Sequence, residues 1–262
     1  MDIYQVDAFS EQLFSGNPAA VIPLKDWIST DQMQQIAAEN NLSETAYLVK
    51  KEEGVYGIRW FTPKTEVDLC GHATLAAAHV LYNHLKFSGK AISFDSHSGR
   101  LRVEKESDMY WLDFPSQPPK PVKSPKLLPE AIGTIPIYTG VNVDLLVLID
   151  GEQIVRKMRP DLEILKRLDV RGVIVTSVSD DKRYDFVSRF FAPAVGVPED
   201  PVTGSAHTVL TPFWSKRLDK KDLTARQLSQ RGGTLRCSMN GDRVKIGGSA
   251  VTFMTGQISI EG

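Results

Sequence analysis

The chain has 262 residues, 42% of them hydrophobic and 24% charged, with a formal net charge of −1. That length suits one large domain or two of about 100–150 residues, with enough apolar material for a packed core. The near-neutral balance lacks the basic stripe that phosphate neutralisation requires, and no apolar run approaches the about 20 residues of a membrane span, so a nucleic-acid binder and a membrane protein are poor fits.

From the N-terminus, Met1–Gln5 shows neither a basic region nor a long apolar one, and the only cysteines are Cys70 and Cys237. Secreted chains of this size more often carry a disulfide framework, so the expectation is a cytosolic protein. Strands are predicted at Ile3–Ala8 and Ala19–Ile22, a helix at Thr30–Glu39, and strands at Thr45–Lys50 and Gly54–Phe61. Gly71–Leu85, rich in Ala, Leu and Val, is predicted to be a helix buried on most sides. The order then returns: Ile137–Thr139, Leu145–Ile149, a helix near Leu162–Leu168, Gly172–Thr176, Arg183–Phe191 and a helix over Gly204–Leu218. Arg59-Trp60-Phe61-Thr62-Pro63 and Arg189-Phe190-Phe191-Ala192-Pro193 close matching strands, and each leads into a helix opened by glycine, Gly71 or Gly204. The chain therefore reads as a duplication. The lobes are expected at 1–117 and 127–251, with a proline-rich linker at 118–126; the run Lys120, Lys123 and Lys126 falls in that linker and reads as solvated. Two α+β lobes follow, each wrapping a curved sheet around one central helix, with a ligand cleft expected between them.

Candidate chemistry gathers at the two glycine-opened termini. Exposed amides and the positive end of the helix dipole suit a substrate carboxylate at Gly71 and Gly204. His72 sits just inside the first terminus; His79, two turns on, reads as a packed core residue. Asp68, Cys70, His72 and His79 match no usual zinc-ligand spacing, so no metal is expected. Asp200, just before the second terminus, could cap the helix or hold a substrate amine, and Ser205 reads as a donor to an anion. Ser205 and His207 point in different directions on a helix, and there is no G-x-S-x-G elbow, which argues against a serine hydrolase. Glu44, at a helix-to-strand junction, reads either as a solvated charge or as an acid–base group facing the cleft. The second half has no carboxylate at the matching Val170–Val173, which favours one acid–base residue over a symmetric pair. No dinucleotide or Walker motif occurs, so no cofactor is expected.

Five ordered motifs then resemble the PhzF-like family of the diaminopimelate-epimerase superfamily. They are Ser15–Val21, Asn41–Thr45, Phe61–Pro63, Cys70–Leu75 and Glu199–His207, with a similar glycine-rich ending from Gly241 to Gly256. The resemblance implies the two-lobed diaminopimelate-epimerase fold, its last strand, about 252–262, returning to the first lobe. It implies an isomerase like the phenazine-pathway enzyme acting on trans-2,3-dihydro-3-hydroxyanthranilate, with Glu44 as the catalytic proton carrier. It implies substrate binding by His72, Asp200, Ser205, Gly71, Gly204 and Asn17. The related epimerase uses a cysteine at each helix start; here Cys70 holds the first position and Thr203 the second, which removes the two-thiol mechanism and leaves Cys70 a one-sided role at most. Alternatives are a racemase or epimerase using Cys70 with Glu44, and a non-catalytic small-molecule-binding protein. Relatives suggest a homodimer.

Overall fold

The computed structural model describes residues 1–260; Glu261 and Gly262, the end of the strand expected to complete the first lobe, lie outside the described residues. The chain forms two compact units, Met1–Asp113 joined by the residues from Gly247 onward, and Phe114–Ile246. Among the described residues, no helix is long and apolar enough to cross a membrane.

In the first unit, β1 (Asp2–Ala8), β2 (Asn17–Leu24), α1 (Thr30–Asn40), β3 (Glu44–Glu52), β4 (Val55–Phe61), β5 (Glu66–Val67), α2 (Gly71–Asn83), β6 (Ala91–Ser96), β7 (Gly99–Glu106) and β8 (Met109–Pro115) follow in order. β1 pairs antiparallel with β2, β2 parallel with β3, β3 antiparallel with β4, β4 parallel with β6 and β6 antiparallel with β7. The C-terminal strand Ala250–Gln257 returns to lie antiparallel to β1.

α1 starts at a capping box in which the Ser29 hydroxyl accepts from the Gln32 amide, and ends at Asn41 in the left-handed region. It buries Met33 and Ala37 against Ile22, Tyr47 and Phe61. α2 is buried at every position from His72 to Leu81 and packs on β1, β2, β3, β7 and the C-terminal strand. Surrounded in this way, it needs no polar face.

The second unit repeats the plan. β9 (Lys120–Pro121), α3 (Leu128–Ile132), β10 (Tyr138–Val141), β11 (Leu145–Leu148), α4 (Glu152–Lys157), α5 (Leu162–Leu165), β12 (Val173–Val178), β13 (Phe186–Ala192), β14 (Val197–Asp200), α6 (Gly204–Leu218), β15 (Asp222–Gln227), β16 (Gly233–Asn240) and β17 (Arg243–Gly248) follow. Pairing runs antiparallel β10–β11, parallel β11–β12, antiparallel β12–β13, parallel β13–β15 and antiparallel β15–β16, the same sequence of senses as β1 to β7. Each unit is thus a mixed sheet with one long buried helix, an α+β fold built from two pseudo-symmetric lobes. In α6 the Trp214 indole donates to Thr176 Oγ1 at 3.0 Å and stacks on Phe186.

Three local features differ from the sequence expectation. The segment 118–126 lies against the second unit: β9 pairs antiparallel with β10, and the Val122 amide donates to Thr139 O at 3.1 Å. An edge position tolerates the prolines there because no ladder donor is required of them. Helix near Leu162–Leu168 is confined to Leu162–Leu165, with a separate α4 upstream. The chain rejoins the first unit at Gly247, ahead of residue 252.

Gly16 governs the entry to β2. It sits at φ +75°, and a Cβ there would fall 2.3 Å from the Ala8 carbonyl oxygen and 2.9 Å from Ser10 Cβ. Both terms act together, so Gly16→Ala is expected to cost on the order of 2 kcal/mol or more. Denaturant unfolding measures this, and a loss below about 0.5 kcal/mol would contradict the geometry.

Candidate active site

In the first unit three segments meet at the start of α2. β2 opens with Asn17, fully buried. β3 opens with Glu44, which lies beside Ala19 in the parallel register. Cys70 is the N-cap of α2 and His72 its second residue. Cys70 has extended backbone and makes no regular side-chain capping bond, its sulfur meets the Ala73 amide, and the first turn holds no acid, so the remaining amide donors suit an anionic ligand.

His72 is the hub. The Asn17 Nδ2 group donates to its Nδ1 at 3.2 Å, and Cys70 Sγ lies 3.5 Å from the same nitrogen. In the neutral ring this places the hydrogen on Nε2. That Nε2 lies 3.0 Å from Glu44 Oε2. The two atoms are within ion-pair distance but off the line of a hydrogen bond, and neither has another partner. The side chains of His72 and Glu44 are only 7% and 18% exposed. Burial works against charge on His72, and with Cys70 a thiol it is the neighbouring Glu44 carboxylate that raises its pKa. Burial, reinforced by the Glu44 carboxylate, pushes the Cys70 thiol up, against the pull of His72. Cys70 is therefore held as a thiol rather than as the activated thiolate that a helix terminus alone would favour.

His79 is buried, as expected, but in a polar cluster. Its Nε2 contacts Thr252 Oγ1 at 2.9 Å and its Nδ1 takes contacts from Asn83 and Tyr110. Asp68 is exposed. The metal-compatible group in this unit is instead Glu44, Cys70 and His72, one ligand atom from each lying within 4.8 Å of the others. Spacing along the chain missed it because Glu44 arrives from a different strand.

In the second unit, Thr203 is the N-cap of α6, in the place of Cys70, and it too makes no side-chain capping bond. Its hydroxyl donates to Asp200, and its amide donates to Gln227 Oε1 at 2.9 Å. Asp200 therefore holds Thr203 in place at this terminus. His207 donates from Nδ1 to Thr203 O at 2.8 Å and packs on Phe186, so it does not serve Ser205. Ser205 instead lies 3.4 Å from Arg171 Nη2.

The strand registers show why this terminus has no counterpart of Glu44. Thr45 faces Phe61 as Val173 faces Phe191, so Gly172 occupies the position of Glu44. A Cβ on Gly172 would lie 2.4 Å from the Phe190 ring and 3.1 Å from Asp144 Oδ1. Packing excludes a side chain there. The carboxylate and guanidinium in this region, Asp144 and Arg171, form a two-pronged ion pair at 2.9 and 2.5 Å that sequence reading did not find.

His207 also gives a pH prediction. Burial lowers its pKa from 6.5 to about 4, only partly offset by the hydrogen bond to Thr203. The unfolded chain takes up a proton near pH 6.5 that the folded chain refuses until about pH 4. Its contribution to stability is thus intact above 6.5 and lost as pH falls through that window. His207→Asn, which keeps a donor toward Thr203, should shrink the stability difference between pH 7 and pH 5 by about 2 kcal/mol in denaturant unfolding. An unchanged difference would contradict this origin.

Comparison with known proteins agrees with this architecture. Residues 6–256 match the profile of the phenazine biosynthesis-like protein family, PhzC-PhzF. The chain is 52% identical over 261 residues to an uncharacterized isomerase of Pseudomonas aeruginosa, covering 99% of each chain. It superposes on the crystal structure of a PhzF-family phenazine biosynthesis protein from Enterococcus faecalis with TM-score 0.96 at 46% identity, again covering 99% of each. A hydroxyproline epimerase from Agrobacterium vitis shares the fold at TM-score 0.60 and 11% identity, over 98% of this chain and 91% of that one.

Proposed function

The chain belongs to the phenazine biosynthesis-like, PhzF-type family of isomerases, and from that premise we propose that it is a cofactor-independent isomerase that moves a proton between carbons of a small amino or hydroxy carboxylate, with Glu44 as the proton carrier. The observation that carries this reading is the largely buried Glu44 carboxylate, its Oε2 3.0 Å from His72 Nε2 and otherwise unpartnered, beside the α2 terminus.

In the proposed reaction a Glu44 oxygen takes a proton from an acidic substrate C–H. The electron pair left behind delocalises toward the substrate's conjugated or carboxylate group. Amides of the α2 terminus, opened by Gly71, hold the developing negative charge, and His72 donates to it, helped by its raised pKa. Glu44 then returns the proton to a second carbon, so charge and hydrogen count are unchanged overall. Asn17 orients His72. Asp200, Ser205 and the α6 terminus at Gly204 are assigned to the substrate's amino and carboxylate groups. The same reading assigns a cytoplasmic homodimer.

The epimerase alternative draws on Cys70 Sγ lying 3.5 Å from His72 Nδ1, but the thiol is raised by burial and Thr203 stands where a second thiol would be needed. Proton NMR in D2O on a panel of amino and hydroxy carboxylates, including dihydrohydroxyanthranilate, separates the two. Isomerisation moves the hydrogen to a different carbon, with deuterium appearing there to the extent that Glu44 exchanges with solvent. Inversion places deuterium at the same carbon. Binding of panel members by folded protein with neither isomerised product nor exchange would favour a non-catalytic binding protein and overturn the proposal.

A further inference from the structure

We propose that Glu44, Cys70 and His72 form an inhibitory site for a soft divalent cation, zinc foremost. The donor set is a thiol, an imidazole and a carboxylate, a combination that suits zinc and disfavours magnesium or calcium.

Geometry supports the same ion. Two ligands at tetrahedral zinc, sulfur at about 2.3 Å and nitrogen at about 2.0 Å, lie about 3.5 Å apart. Cys70 Sγ and His72 Nδ1 are 3.5 Å apart. One ligand atom of each of the three residues lies within 4.8 Å of the others, and side-chain rotation must bring the Glu44 carboxylate in to close the third corner. The Asn17 amide, now on Nδ1, must give way.

The site also has unspent capacity. Glu44 Oε2 is buried and lacks a hydrogen-bond partner, and such an atom is costly to leave unmet. Among the described residues no other group of three His, Cys, Asp or Glu is so placed. The matching positions of the second unit are Gly172, Thr203 and Ser205, which offer neither thiol, imidazole nor carboxylate.

Binding releases the Cys70 proton, and the extra proton of His72 where it is imidazolium, to solvent and forms a metal–thiolate bond, while Glu44 and neutral His72 become ligands. The metal would therefore immobilise the groups assigned to proton transfer. Inhibition rests on the proposed function; metal binding does not.

Cobalt(II) titration of the apo-protein tests the site directly. The expected result is a near-ultraviolet thiolate charge-transfer band that saturates at one equivalent and is displaced by zinc. Cys70→Ser should abolish it, Cys237→Ser should leave it intact, and His72→Asn or Glu44→Gln should weaken binding by at least about 10-fold. Absence of the band in the unmodified protein, or its loss in Cys237→Ser but not Cys70→Ser, would overturn the proposal. Zinc should also stop any carbon–hydrogen exchange found in the panel, and a chelator should restore it. A cobalt band without effect on exchange would refute the inhibitory role. Protein that binds cobalt yet neither isomerises nor exchanges any panel compound would tell against the isomerase reading while leaving the metal site standing.

Discussion

Replacing Glu44 with Gln is expected to lower carbon–hydrogen exchange by about 10²–10⁴-fold while leaving the fold and ligand binding in place. Glutamine has nearly the same shape but cannot accept the proton. The fold should survive because Glu44 Oε2 makes no hydrogen bond that the substitution would break, and the strand is held by backbone pairing with Ala19 and its neighbours. Thermal unfolding with and without a bound panel compound checks both halves. A fall in activity matched by a fall in stability would reassign Glu44 to structure.

Arg189→Ala should produce the largest loss of stability, about 3–5 kcal/mol. The Arg189 side chain is 7% exposed and makes two bonds to Glu199, at 2.7 and 2.9 Å. Its remaining donors reach Val155 O at 3.2 Å and Met158 O at 2.7 Å, and its guanidinium lies over Phe191. Removing it strands a carboxylate and two carbonyls at once. Arg59, its counterpart in the first unit, pairs with Glu66 at 2.7 and 2.6 Å and lowers that carboxyl's pKa, chiefly through the hydrogen bond. It is more exposed, at 17%, and its other donor reaches only Thr30 Oγ1. Arg59→Ala should therefore cost about 1–2 kcal/mol, because solvent can replace part of what is lost. Denaturant unfolding of both variants checks the order, and equal losses would contradict it.

This pair also explains why the duplication was legible. The repeated arginine before Phe-Thr-Pro and Phe-Ala-Pro performs one task in both units, tying a strand to an acid just downstream. Periodicity located α2 and α6 because their apolar content reflects burial on all sides, and glycine marked both starts. The proposed acid–base residue was less accessible. Glu44 on its own looks like a loop charge, and only its resemblance to a known motif singled it out. Its contact with His72 depends on β2, β3 and α2 meeting in space. The Asp144–Arg171 pair was invisible for a similar reason: the two residues lie at the starts of neighbouring parallel strands, separated in sequence by α4 and α5. β7 escaped notice because Arg100, Arg102, Glu104 and Glu106 dilute its apolar alternation.

The most direct test of the proton-carrier role uses whichever panel compound exchanges, labelled with deuterium at the carbon that loses hydrogen and turned over in ordinary water. If one carboxylate carries the proton from one carbon to the other, part of the label should appear at the accepting carbon, and turnover should collapse in Glu44→Gln. Complete washout of label together with undiminished turnover in Glu44→Gln would contradict the account.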